Sequence, residues 1–410
     1  MGETLRLLLV GVLVYVWPLV WTYTLSDELN LHTAIFPSTY DTNIRPGADR
    51  ADPLQINVTF TFKSIKEFDE SVSKFSITGA IGVIWRDNRL TWNLSNYGGD
   101  LYTTLVPQKR IWVPFLVNML HYNTLTEIGH ENLNIRLDSS GLITWIVPNL
   151  FESTCDADLS YYPFDSQTCL MSFYIPGFLP SEIQFYTPSQ TMSVSTYSEN
   201  ALWDVIETKI YTVTNTLQFQ EVRMSVRMKR RPVYYISSLV LPVCFLSFLQ
   251  LFVFLMPTDS GERVGFAITV LLAVAVYLTL VQDKLPEGSE PSVSYLSYKL
   301  LGDFMIGVFM MIGVIVGLRF YHRDDNTLIP NYLQKFHGVV LGSSCFPCRR
   351  KRKVTVDEKE IAKDVKEDPG STLLTWRDIS MATDRFCLSM FGFLLLNCNM
   401  VYIIVIASFY

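Results

Sequence analysis

Little in this sequence argues for chemistry. Its first half carries no glycine-rich phosphate loop and no metal-ligand cluster, and no nucleophile–base constellation stands out anywhere along it. An enzyme therefore has no support, and neither a cofactor nor a metal is expected. Cysteine is sparse: seven scattered residues are too few for a disulfide-rich scaffold. The formal net charge of −6 is mild and argues against nucleic acid as a partner. What the chain does have is apolar residues, 49% of the total, concentrated in the first 21 residues and in four later blocks. At 410 residues, at least two structural units are expected.

The opening run, with Arg6 followed by LLLVGVLVYVWPLVW, reads as a secretory signal over residues 1–21, because polar and charged sequence follows at once. No clean small-residue cleavage site is visible, so a signal anchor stays open as the alternative. Either reading sends the next segment into an oxidising space. Two acceptor sequons, at Asn57 and Asn93, fit that placement as candidate glycosylation sites.

Residues 22–232 read as mostly strand. LQINVTFTFK places Leu54, Ile56, Val58, Phe60 and Phe62 on one face, and VRMSVRMK does the same with Val222, Met224, Val226 and Met228. Runs like these, broken by Gly, Pro, Asn and Asp, predict an all-β sandwich. A short amphipathic helix around Ser26 to Pro37 is expected ahead of it.

Beyond Pro232 four apolar runs follow: Val233–Leu255, Val264–Val281, Leu296–Leu318 and Phe386–Phe409. Each is long enough to cross the ~30 Å hydrocarbon layer as a helix. Three spans are thus expected within 233–318, a cytoplasmic segment over 319–385, and a fourth span within 386–410. Both termini then lie outside the cell, and the basic cluster Arg349–Lys353 agrees with the positive-inside tendency. Lys229, Arg230 and Arg231 run against it, but long translocated domains largely escape that rule.

Residues 155–169 read CDADLSYYPFDSQTC. In an exported sandwich Cys155 and Cys169 should pair, since the other five cysteines lie in predicted membrane or cytoplasm. Such a loop removes ~3 kcal/mol of unfolded-chain freedom in the entropy model. Tyr162-Pro163 inside it is a candidate cis peptide.

This loop and the four spans behind it resemble the Cys-loop receptors. WRDNRLTWN (Trp85–Asn93), IWVP (Ile111–Pro114), KRRP before the first span and PTDSGERV before the second are similar to the nicotinic branch. The resemblance covers nearly the whole chain. It implies an immunoglobulin-like extracellular sandwich and a four-helix transmembrane bundle, joined with four further subunits into a homo- or heteropentamer. Each subunit would place its second span around a central pore, at the plasma membrane and in a postsynaptic setting.

The second span carries its own signal. Glu262, Gly265, Thr269, Leu272, Val276, Thr279 and Asp283 are spaced three, four, three, four, three, four, which holds them on one helical face. An ordinary packing seam produces the same spacing but does not need carboxylates at both ends. Fivefold repetition would turn Glu262 and Asp283, with Asp259 below, into acidic rings that favour monovalent cations and calcium. Leu272 and Val276 would form dewetting constrictions. DSGERV lacks the Pro-Ala stretch of anion-selective relatives, while Gly265 departs from the small hydroxyl residue usual there. Lys299 and Asp303, four apart near the outer part of the third span, are placed to pair, whether for function or for structure.

At the ligand site the resemblance thins. Met119 stands where a Tyr is usual, Pro176 where a Trp is usual, and Ala80 at the partner-side Trp position. Tyr211 and Phe219 keep their aromatics, and Val213-Thr214 replaces the adjacent cysteine pair. Each lost ring removes ~0.5–2 kcal/mol of cation attraction, together about 3–5 kcal/mol or two to four decades of affinity. Acetylcholine is therefore a poor fit. Those five residues, with Trp145, would line a roomier pocket for an amphipathic or apolar ligand, or the pocket is empty and gating comes from elsewhere.

By the same resemblance, Asp165 and the Tyr-Pro-Phe tip should meet the loop with Pro286, and Arg230 should bond an acid from the Asp69–Glu70 turn. In the cytoplasmic segment, IPNYLQKFHGVVLG reads as an amphipathic helix lying on membrane lipid, and Cys345 and Cys348 are candidate acylation sites. A mixed-charge helix from Val356 to Arg385 would lead into the last span. The competing function is an accessory or orphan subunit that binds no classical agonist. The four spans exclude a soluble binding protein, and their number excludes seven-helix signalling.

Overall fold

The computed structural model describes residues 23–47, 52–123, 127–215, 218–258, 261–283, 293–324, 327–341 and 374–408. The signal segment 1–21, Asp259, Pro286, Cys345, Cys348 and most of the helix expected from Val356 lie outside the described residues. Two compact units emerge: residues 1–157 with Ser166–Arg230, and Asp158–Asp165 with Arg231–Tyr410.

The first unit opens with α1 (Leu25–Ile35), started by a capping box in which Thr24 and Asp27 bond each other's backbone reciprocally. Those bonds hold the Asp27 carboxyl below its ordinary pKa. Leu31 and Ile35 face the core.

Ten strands follow: β1 (Leu54–Asp69), β2 (Lys74–Arg86), β3 (Thr103–Pro107), β4 (Val117–Asn118), β5 (Asn134–Asp138), β6 (Leu142–Thr154), β7 (Ser166–Tyr174), β8 (Ile183–Tyr186), β9 (Trp203–Thr214) and β10 (Gln220–Arg230). One sheet runs β3-β5-β6-β2-β1-β8 and the other β4-β7-β10-β9. All pairs are antiparallel except β1 with β8. The alternation read from β1 and β10 is real burial: every one of the nine apolar positions named on them is within 8% of full burial. One core joins both sheets, with Phe60 edge-on to Phe151 at 5.2 Å and Phe151 edge-on to Phe173 at 5.9 Å. Cys155 and Cys169 are bonded, S–S 2.02 Å, and Tyr162-Pro163 is cis.

The second unit holds the four long apolar helices: α2 (Val233–Leu255), α3 (Arg263–Gln282), α4 (Tyr295–Tyr321) and α6 (Trp376–Ala407), with the short α5 (Asn331–Leu341) between the last two. Pro242 opens the regular α-helical part of α2, preceded by a π-type turn over Ile236–Val240. Its missing N–H and its ring cannot serve the preceding turn, so the backbone widens there. Helix α6 starts ten residues before the apolar run Phe386–Phe409, at a second capping box made by Thr375 and Asp378. The polarity change at 385 therefore falls inside a continuous helix. Val253, Phe254, Met310, Val314, Cys387, Phe391 and Leu395 form a core cluster of this unit. Phe245, Phe248, Phe309, Phe393 and Leu396 stand outward and more than half exposed, as lipid-facing side chains do.

Candidate functional site

Helix α3 sorts its side chains cleanly. At 3.6 residues per turn, Arg263, Val270, Val274 and Val281 share one face, and all four are buried. Gly265, Thr269, Leu272, Val276, Thr279 and Asp283 lie roughly opposite, and each is exposed within the single subunit, Leu272 by 62% and Val276 by 50%. The hydroxyls of Thr269 and Thr279 donate to their own helix, to Gly265 O at 2.8 Å and Val276 O at 2.7 Å. Glu262 is exposed at the position preceding the helix.

The buried face of α3 is anchored through a pair that sequence reading missed. The guanidinium of Arg263, 1% exposed, donates to both carboxylate oxygens of Asp384 on α6, at 2.5 and 2.9 Å. It also lies 5.7 Å from the centre of the Phe254 ring. Both residues sit just outside apolar runs, where hydropathy gives no reason to join them. Asp303 accepts from Lys299 at 2.6 Å on α4, as their spacing suggests, and also from Ser247 of α2 at 2.7 Å. That cross-helix bond favours a structural role between helices.

In the sandwich, the named ligand-site residues separate by sheet. Met119 follows β4 and donates its N–H to Ser172 O on β7 at 2.7 Å. Tyr211 on β9 sits opposite Arg223 of β10, 37% exposed. Phe219 enters β10 from the hairpin, with its ring 6.3 Å from that of Tyr174, and Pro176 is exposed two residues beyond Tyr174. These four share one end of the four-stranded sheet. Ala80 belongs to the other sheet, opposite Thr61 and Pro148. Trp145 does not join a surface pocket. It is 1% exposed and packs edge-on to Trp85 at 6.4 Å, so its indole serves the core.

Beneath the four residues lies a network the sequence did not announce. Glu221, 1% exposed, accepts from Ser172 Oγ at 2.7 Å, Asn215 Nδ2 at 2.6 Å and Arg223 Nε at 3.0 Å. Burial pushes its carboxyl up, and the three hydrogen bonds outweigh that push and leave it below the ordinary value. Nothing in the strand pattern betrays it, because Glu221 and Val222 are both buried and the alternation breaks there.

Arg230 meets Glu70 at 2.6 Å, and its guanidinium lies 4.3 Å from the Trp203 ring. In the second unit, Tyr161 and Tyr295 rings approach to 5.3 Å, Tyr162 and Tyr235 to 5.4 Å, and Tyr295 N–H donates to Ser160 O at 2.9 Å. Asp165 is 3% exposed. Of the two sequons, Asn93 caps a short 3-10 turn and accepts from Ser95, while Asn57 is paired on both sides within its sheet. Among the described residues no group of three or more His, Cys, Asp or Glu is placed to hold a metal.

Two family models match the chain: the neurotransmitter-gated ion-channel ligand binding domain over residues 28–232, and the neurotransmitter-gated ion-channel transmembrane region over residues 239–331. Among similar proteins, the acetylcholine receptor subunit beta of Xenopus laevis is 27% identical over 332 residues, covering 76% of this chain and 66% of that protein. The neuronal acetylcholine receptor subunit alpha-3 of Homo sapiens is 30% identical over 299 residues, 70% of this chain and 57% of that protein. The acetylcholine receptor subunit beta-type unc-29 of Caenorhabditis elegans is 27% identical over 304 residues, 74% and 60%. The match thus spans less than two thirds of each relative's own length.

Proposed function

This chain belongs to the neurotransmitter-gated ion-channel family, and from that premise we propose that it is one subunit of a pentameric channel that conducts cations when a small extracellular ligand binds. One observation carries the reading. The face of α3 left uncovered by its own subunit is the face with carboxylates at its ends and Leu272 and Val276 in its middle. Five copies around an axis would place Glu262 and Asp283 at the two mouths, where acidic rings attract sodium, potassium and calcium and repel chloride. Leu272 and Val276 would narrow the pore until water leaves it. The sandwich then lies outside the cell and the chain crosses the plasma membrane four times, with α5 against lipid.

The ligand would sit where Tyr211, Phe219, Met119 and Pro176 of one subunit face Ala80 of the next. Two rings remain to attract a cation, so the pocket suits an amphipathic or largely apolar molecule. Arg230 with Glu70, and the Tyr161–Tyr162 tip beside Tyr235 and Tyr295, are the parts through which binding would move the helices.

Expression of the chain alone under voltage clamp tests this. The expected current reverses with the sodium gradient, and Glu262→Lys shifts the reversal potential toward that of chloride. A wild-type current that follows chloride would sink the proposal.

A further inference from the structure

The outward face of the four-stranded sheet carries a feature the channel function leaves unused. Side chains two apart on a strand share a face, and three adjacent strands each contribute a pair: Ser166 and Thr168 from β7, Ser225 and Arg227 from β10, Glu207 and Lys209 from β9. They line a cleft of about 320 Å³. The register brings Thr168 and Glu207 to either side of Arg227, and Lys209 beside Ser225. The cleft exists because the hydroxyl residues are short while the three charged residues stand tall around them.

Its charges do not cancel. Lys209 and Glu207 pair at 2.8 Å. The Arg227 side chain is exposed and makes no ion pair or hydrogen bond among the described residues. One guanidinium, with a net single positive charge, therefore remains for something else, ringed by three hydroxyls that both donate and accept. All six lining side chains are polar, so an apolar ligand finds no wall there.

We propose that this cleft binds a sugar carrying one sulfate ester. A sulfate monoester bears a single negative charge, matching the surplus. A guanidinium presents its planar donors to such an oxyanion better than an ammonium does. The three hydroxyls and Glu207 offer the mixed donors and acceptors that a sugar ring needs. A phosphate monoester carries about −1.5 to −2 at pH 7 and overshoots the surplus. The volume sits at the lower end of ordinary ligand sites, roughly 300–1,000 Å³, and so suits one ring and not a long chain. If the sandwich is extracellular as proposed, such groups are displayed on the same side of the membrane.

The test uses the assembled full-length protein and galactose 6-sulfate, followed by ligand-observed NMR, with galactose and inorganic sulfate as parallel arms. Galactose 6-sulfate is expected to bind, and each parallel ligand to bind roughly tenfold more weakly or worse. Arg227→Gln should weaken the sulfated sugar by roughly tenfold, and Ser225→Leu, which fills the cleft, should abolish binding. Lys209→Gln gives a second charge variant should either of these fail to assemble, with loss expected there as well. No binding of galactose 6-sulfate, binding that survives the charge variants, or equal binding of galactose would each overturn the site. Inorganic sulfate binding as tightly as the sugar sulfate would overturn the role of the sugar.

Discussion

Glu221 in the sandwich and Asp384 in the helix bundle are both acids held by a guanidinium, yet burial falls on opposite partners. The side chain of Glu221 is 2% exposed while Arg223 reaches solvent at 32%. In the bundle the cation is sealed at 1%, and Asp384 keeps 13%. The sandwich can surround its buried acid with neutral donors from neighbouring strands, Ser172 and the hairpin's Asn215. The bundle has its backbone carbonyls committed to helical bonds, so Arg263, which can only donate, relies on one carboxylate and one aromatic ring. Its Nε has no hydrogen-bond partner among the described residues. Where complementary hydrogen-bond partners are plentiful, a buried charge is supported by many weak bonds; where they are not, it depends on a single strong pair.

The largest effect should come from breaking that pair from one side. Asp384→Ala leaves Arg263 buried without its anion and is expected to destabilise by about 3–5 kcal/mol. The melting temperature of the purified protein reads this directly. The double variant Arg263→Leu with Asp384→Leu should recover most of the loss, because the desolvation cost disappears with both charges. If the double variant is as unstable as the single, the pair has been misjudged.

Glu221→Gln keeps the shape and removes the charge, so the expected cost is lower, about 1.5–3 kcal/mol, the range for hydrogen bonds to a charged group. The same carboxyl sets a pH dependence. Its pKa is lowered in the folded state, so its stabilisation is complete above the unfolded value and is lost as pH falls through the folded one. Acid melting curves of wild type and Glu221→Gln should therefore converge at low pH; parallel curves throughout would contradict the network. The smallest effect is expected at Lys74, which bridges Glu67 and Glu152 at 2.9 and 3.2 Å in contact with water. Lys74→Ala should leave the melting temperature unchanged, and a clear drop would mean that surface pairs matter more here than screening allows.

How much could be read in advance follows from the range of each interaction. The strand faces at Leu54–Phe62 and Val222–Met228, the four apolar helices, the Cys155–Cys169 bond and the contact of Arg230 with the Asp69–Glu70 turn were all legible. Hydropathy period and cysteine placement are signals in the sequence itself, and for the Arg230 contact a family pattern supplied the partner. Trp145 shows the opposite case. Its type suits an aromatic pocket, and only the register of β6 on β2, which sets its ring edge-on to Trp85, sends it inward.

The sequence by itself determined the periodicities: two-residue alternation that commits a strand to one buried face, and apolar runs that commit a helix to lipid. Those properties reside in consecutive residues and need no knowledge of neighbours. The tertiary structure alone decided two of the long-range polar partnerships. Arg263 finds Asp384 121 positions away, and Glu221 finds Ser172 49 positions away. A charge cannot advertise its partner along the chain, because what fixes the pairing is the removal of both from water, and that happens only when strands and helices close together.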